Sequence, residues 1–148
     1  MQFGWINAFG AGVVAFILLP NILYAIKYKG EKNLCTNKFM NVLEQIGRYG
    51  CIIFMWLPLF VWKFGFRSVS EMLIYVLGNA GLIIAYFTVF ALYFKEKTPA
   101  RAVTLAVLPV CIFLLSGVML RHPLLAGFAV LFAVGHIYVT VKNFKEKE

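Results

Sequence analysis

Residues 41–62 read NVLEQIGRYGCIIFMWLPLFVW, and the reading of this stretch decides the fold. From Gly50 onward it is apolar enough to cross a bilayer. Its first half carries Glu44 and Arg48, four residues apart and therefore on one face of a helix. The rest of the chain reads as hydrophobic wall, turn or basic anchor.

Composition sets the frame for that stretch. The 148 residues are 62% hydrophobic and 14% charged, against about 45–50% and about 25% in an average soluble domain. That excess is too large for one soluble core and points to lipid as the solvent. The formal charge is +8, yet the basic residues sit in short clusters between apolar runs, as membrane-flanking anchors do. This excludes a nucleic-acid face. Cys35, Cys51 and Cys111 form no CxxC or other metal spacing and read as packing residues. No motif calls for a metal or other cofactor. The first apolar run has no Lys or Arg before it and no small-residue cleavage site after it, so it reads as a retained span and not a signal peptide.

The predicted fold is an all-α, polytopic membrane bundle of five transmembrane helices in one domain. A helix needs about 20 residues to cross a core of about 30 Å. The predicted spans cover about residues 3–28, 39–62, 70–94, 102–120 and 124–143. In the first, Pro20 predicts a kink or a broken helix lining a cavity, and Asn21 beside it can satisfy freed backbone groups. Residues 63–68 read as a short turn, with Ser70 capping the third span and Glu71 favourable in its first turn. Tyr75, Asn79 and Tyr86 share a face of that span. Pro99 suits the approach to the fourth. Arg121-His122-Pro123 separates the last two, because 40 residues are far too many for one crossing.

Orientation follows from basic residues near span ends. Lys27, Lys29, Lys32, Lys38, Lys95, Lys97, Arg101, Lys142, Lys145 and Lys147 share one side, and Lys63, Arg67 and Arg121 share the other. The N-terminus is therefore expected outside and the C-terminus in the cytoplasm, in a bacterial cytoplasmic membrane.

With that threading, polar groups from three spans converge. At 1.5 Å per residue, Asn21 lies about 9 Å, Glu44 about 7 Å, Arg48 about 13 Å and His136 about 10 Å from the cytoplasmic boundary. Charged groups there cost about 2.5–3.5 kcal/mol for Arg at a helix centre, so they are expected to face inward and pair. The stripe Asn41, Glu44, Arg48, Cys51, Met55 is expected to face His136, Thr140 and Asn143 around a polar pocket open to the cytoplasm. His136 is its titratable member. Tyr75 and Asn79 are further ligand-binding candidates at mid-depth. The structural alternative is a local Glu44–Arg48 pair snorkelling to the interface, with His136 bonded to a neighbouring helix.

Arg121-His122-Pro123 with Gly127 resembles the RHPxxxG stretch of membrane isoprenylcysteine and phospholipid methyltransferases, a resemblance that implies S-adenosylmethionine binding. It covers seven residues. The family's downstream acid has no counterpart before Glu146, and the expected topology puts the turn outside, so the reading here is a tight helix–helix turn. The segments MNVLEQIGRYG, PVCIFLLSGVML and GHIYVTVKN resemble small bacterial integral membrane proteins, which implies the class and no activity. The chain has no Asp, which excludes paired-aspartate catalysis.

The functional expectation is a small membrane protein that binds or transports a small molecule or lipid through the polar pocket. The alternatives are an accessory or structural subunit of a membrane complex and a membrane methyltransferase-like enzyme. Expected partners are membrane lipids and a second copy or another membrane protein.

Overall fold

The computed structural model describes residues 4–29, 31–61 and 64–146. The fold is all-helical: α1 (Ala8–Lys27), α2 (Lys38–Trp56), α3 (Val69–Lys95), α4 (Pro99–Met119) and α5 (Pro123–Lys145). Among these, α1, α3, α4 and α5 are long and apolar enough to cross a membrane, which marks a multi-pass membrane protein. The second helix does not join them on that criterion, because Lys38, Glu44 and Arg48 fall within its 19 residues. The expected outer limits at Phe3 and Trp62, with Lys63 and Lys147, lie outside the described residues.

Several boundaries differ from expectation for local reasons. The second helix ends at Trp56, six residues early, because Pro58 has no N–H and pushes Leu57 out of the helical region (φ −102°, ψ 115°). Two carbonyls at that end are met by α1's cap residue: Asn7 N–H donates to Trp56 O at 2.8 Å and Asn7 Nδ2 to Met55 O at 3.2 Å. Gly10 makes the approach possible, since a Cβ there would lie 2.0 Å from Met55 O. The connection to α3 is consequently longer than the short turn expected, and it packs inward through the buried rings of Phe64 and Phe66.

The cap of α3 is Ser68, not Ser70: the Ser68 side chain accepts from Glu71 N–H at 3.1 Å, leaving Ser70 inside the first turn. Ser-x-x-Glu is the capping-box spacing, and it starts the helix two residues early. Pro20 does not interrupt α1; Asn21 Nδ2 donates to Ile17 O at 2.8 Å just before it.

The helices close into a ring. The principal contacts run α1 to α2, α2 to α5, α5 to α4, α4 to α3 and α3 back to α1. The α2–α5 pair is the closest. A Cβ on Gly47 would lie 2.4 Å from Phe132 N, and one on Gly135 would lie 2.5 Å from Glu44 N. Only hydrogen fits between the backbones at these two points. The second helix is also inside out by soluble standards. Phe39, Val42, Ile46, Tyr49 and Ile53 are exposed, whereas Glu44, Gly47, Cys51 and Met55 are buried.

Candidate functional site

Glu44 and Arg48 are the only charged residues more than a turn from a helix end among the described residues. They form an ion pair one turn apart on α2. The same carboxylate oxygen, Glu44 Oε1, lies 2.7 Å from His136 Nδ1 on α5. Gly135 is what lets that oxygen reach across, because its missing side chain brings the α5 backbone against Glu44. A carboxylate only accepts, so Nδ1 is the nitrogen that carries a proton toward it. The imidazole stacks on Phe132, one turn earlier, with centroids 4.6 Å apart and planes at 17°.

Asn21 enters from α1. Its Nδ2 donates to the hydroxyl of Tyr86 on α3 at 2.8 Å. Asn21, Arg48, Tyr86 and His136 all line one cavity of about 160 Å³, whose remaining wall is apolar and includes Val14, Ile17, Ile52, Pro109, Phe113 and Phe132. All five helices contribute. Glu44 stands behind Arg48 and His136, 6% exposed, whereas Arg48 is 39% exposed.

The cavity adjoins a second of about 210 Å³ that shares Asn21, Tyr86 and His136 and adds Tyr24, Tyr93 and Thr140. That one adjoins a third of about 450 Å³, sharing Tyr24, Tyr93 and Thr140 and reaching Lys32, Asn33 and Asn143. The three step outward from the ring's interior to its basic end. At that end the loop before α2 is pinned by amides. Asn143 Oδ1 accepts from Leu34 N at 2.6 Å and Cys35 N at 3.0 Å, and Asn41 Nδ2 donates to Cys35 O at 2.8 Å. Lys97 closes the other rim, 3.3 Å from Glu31 Oε1 and 3.9 Å above the Tyr28 ring.

The structure thus brings together Asn21, Glu44, Arg48 and His136. It places Tyr75 and Asn79 elsewhere, against Ser116 and Asn7. Asn79 Nδ2 donates to Tyr75 O at 2.8 Å and Ser116 Oγ to Asn79 Oδ1 at 3.3 Å. This pair borders an apolar groove of about 300 Å³ between α1 and α3. Tyr86 and Tyr24 line the path but were not among the sequence candidates. A signal existed for Tyr86: counted inward from Lys95 it falls about 13 Å deep, in the band of the other polar groups. Among the described residues no group of three or more His, Cys, Asp or Glu side chains could hold a metal ion. The three cysteines are free thiols, Cys35 and Cys51 buried and Cys111 half-buried.

The Arg121-His122-Pro123 stretch is a helix–helix turn in which each residue closes the backbone. Arg121 takes a left-handed conformation (φ 53°). Its N–H bonds Val118 O at 3.1 Å while His122 N–H bonds Gly117 O at 2.8 Å, the Schellman pattern that ends α4. His122 then caps α5, Nδ1 accepting from Leu125 N–H at 3.3 Å, and Pro123 takes the first helical position. The Arg121 guanidinium holds both Glu71 oxygens at 3.1 Å and donates to Gly65 O at 2.8 Å. His122 is fully buried, between the Phe54 and Phe64 rings. Burial pushes its imidazole below the usual range.

No family model, curated protein or solved structure matches this chain.

Proposed function

We propose that the chain is a five-span protein of a bacterial cytoplasmic membrane that binds a small molecule or the polar end of a lipid in its central cavity, from the cytoplasmic side. The reading places the N-terminus outside and the C-terminus inside. The second helix counts as a span because its charged residues turn toward the ring and its outward stripe is apolar. The observation that carries the binding reading is convergence. Every helix lends a side chain to one cavity, and the only deep charged pair among the described residues stands at its wall. Ionisable groups within spans are costly, so they persist where they have work to do. A mostly apolar pocket with a few convergent polar groups is the usual form of a small-molecule site.

Native mass spectrometry of gently solubilised protein tests this. A non-protein mass retained by the native chain, kept in Arg121→Ala and lost in Arg48→Ala, is the expected outcome. A bare chain, unshifted in Tm by any added amphiphile, overturns the reading. A second reading, an accessory subunit, draws on α3. There Gly81 has open space around it, beside exposed Leu77 and Ile84, which is room for a close-packed helix. Co-purification of a stoichiometric membrane protein, or a dimer lost in Gly81→Leu, supports it.

A further inference from the structure

We infer that the central cavity takes a small apolar carboxylate together with one proton, which the protein itself receives at His136. The inference rests on the binding reading above and names its ligand class.

It begins from charge. Glu44 contributes −1 and Arg48 +1, and with an uncharged imidazole the cluster sums to zero. The other titratable groups facing His136 are the phenols of Tyr24 and Tyr93 in the adjoining cavity and of Tyr86 in both; α4 offers only apolar residues there. An anion entering such a space adds an uncompensated charge, because Glu44 already occupies Arg48. Burying an unpaired charge is strongly disfavoured. An imidazole is the side chain that changes charge near neutral pH. A proton taken from water at the basic mouth forms one N–H bond, at Nε2. The ring then donates twice, through Nδ1 to Glu44 and through Nε2 to the ligand. One anion and one proton enter, and the cluster with its ligand returns to neutrality. A singly charged head group fits this balance; a dianionic phosphate does not. The apolar space sets the tail. A cavity near 150 Å³ holds one benzene, so 160 Å³ suits about six carbons.

The test is calorimetry on the full-length chain in detergent, in two buffers of different ionisation enthalpy, with hexanoate, hexane-1-sulfonate and hexanamide. Expected for both anions is uptake of one proton per ligand. Their affinity should fall about tenfold per pH unit where the imidazole is neutral. Hexanamide should bind without either effect. His136→Asn keeps an N–H toward Glu44 but has nothing to protonate, so the slope should vanish. Glu44→Gln leaves Arg48 unopposed, so the anions should bind with no proton uptake. An unchanged slope in His136→Asn, or no proton uptake by the native chain, overturns the inference. Binding of hexanamide with no binding of either anion leaves the pocket standing and sinks the proton coupling. If none of the three binds, the pocket reading falls, and this inference with it.

Discussion

The two ends of the bundle use the same chemical parts for different ends. Near the basic end, Arg48, Glu44 and His136 stand around a cavity. At the opposite end, Arg121, Glu71 and His122 close a turn. At the turn the polar atoms work on backbone: Arg121 on Gly65 O, His122 on Leu125 N–H, Glu71 on Arg67 N–H. At the cavity, among the described residues, the side chains of Arg48, Glu44 and His136 bond one another and serve no backbone group. An arginine, a glutamate and a histidine do not define a site by their identity. What distinguishes the sets is whether a helix end needs them.

The largest expected effect comes from forcing the cavity end apart. Gly135→Val pushes a branched side chain into the α2 backbone at Glu44 and should cost about 3 kcal/mol or more, the upper end of overpacking costs. Gly127→Val on the same helix, where a Cβ meets nothing within 4 Å, should leave Tm almost unchanged. Equal losses in both would show that α5 tolerates no added side chain anywhere and would erase the contrast.

Next in size is the coupling within each pair. Arg48→Met leaves Glu44 buried with only the imidazole beside it, so adding Glu44→Gln should recover stability, with an interaction energy of about 0.5–3 kcal/mol. Arg121→Met with Glu71→Gln should come close to the sum of its single variants, because both partners are partly open to solvent. Chemical or thermal unfolding of the four single and two double variants decides it. Additivity at both ends would make the Glu44 pair an ordinary surface bridge.

His122→Ala should then cost about 1 kcal/mol through the lost cap, and His122→Asn, which can still cap, should recover most of it. Smallest is the pH effect. The folded-state pKa of His122 is lowered, so its contribution is complete above the unfolded value of about 6.5 and is lost as pH falls below it. Protonation at Nδ1 also removes the cap's acceptor. Tm should therefore decline between pH 7 and pH 5 by more in the native chain than in His122→Asn. Parallel profiles would remove His122 as the source.

Much of this was legible in the sequence, and the failures share a cause. Five helices are there because five apolar runs are separated by basic or proline-bearing breaks. Depth counting put Asn21, Glu44, Arg48 and His136 in one band, since helix rise is fixed and the basic residues mark the boundary. The second span was expected to continue to residue 62 because 57–62 is apolar. Hydropathy has no knowledge of the missing N–H on Pro58 or of the Asn7 clamp on the Met55 and Trp56 carbonyls, which together end the helix there. Ser70 was preferred to Ser68 for a similar reason: the cap is decided by the three-residue reach to Glu71, not by nearness to the apolar run. The separation of Tyr75 and Asn79 from the cavity was not readable at all. They share a face with Tyr86, but over 11 residues of helix that face passes from one neighbour to another, and only the ring order shows which.

The contact between Glu44 and His136 spans 92 residues. On a ribosome adding about 5–20 residues per second, the imidazole emerges roughly 5–20 s after the carboxylate it meets. For that interval the second helix must be held by something other than its final partner, at the interface, beside α1 through the Asn7 clamp, or in the insertion machinery. The least apolar of the five helices is thus also the one that waits longest for its main partner.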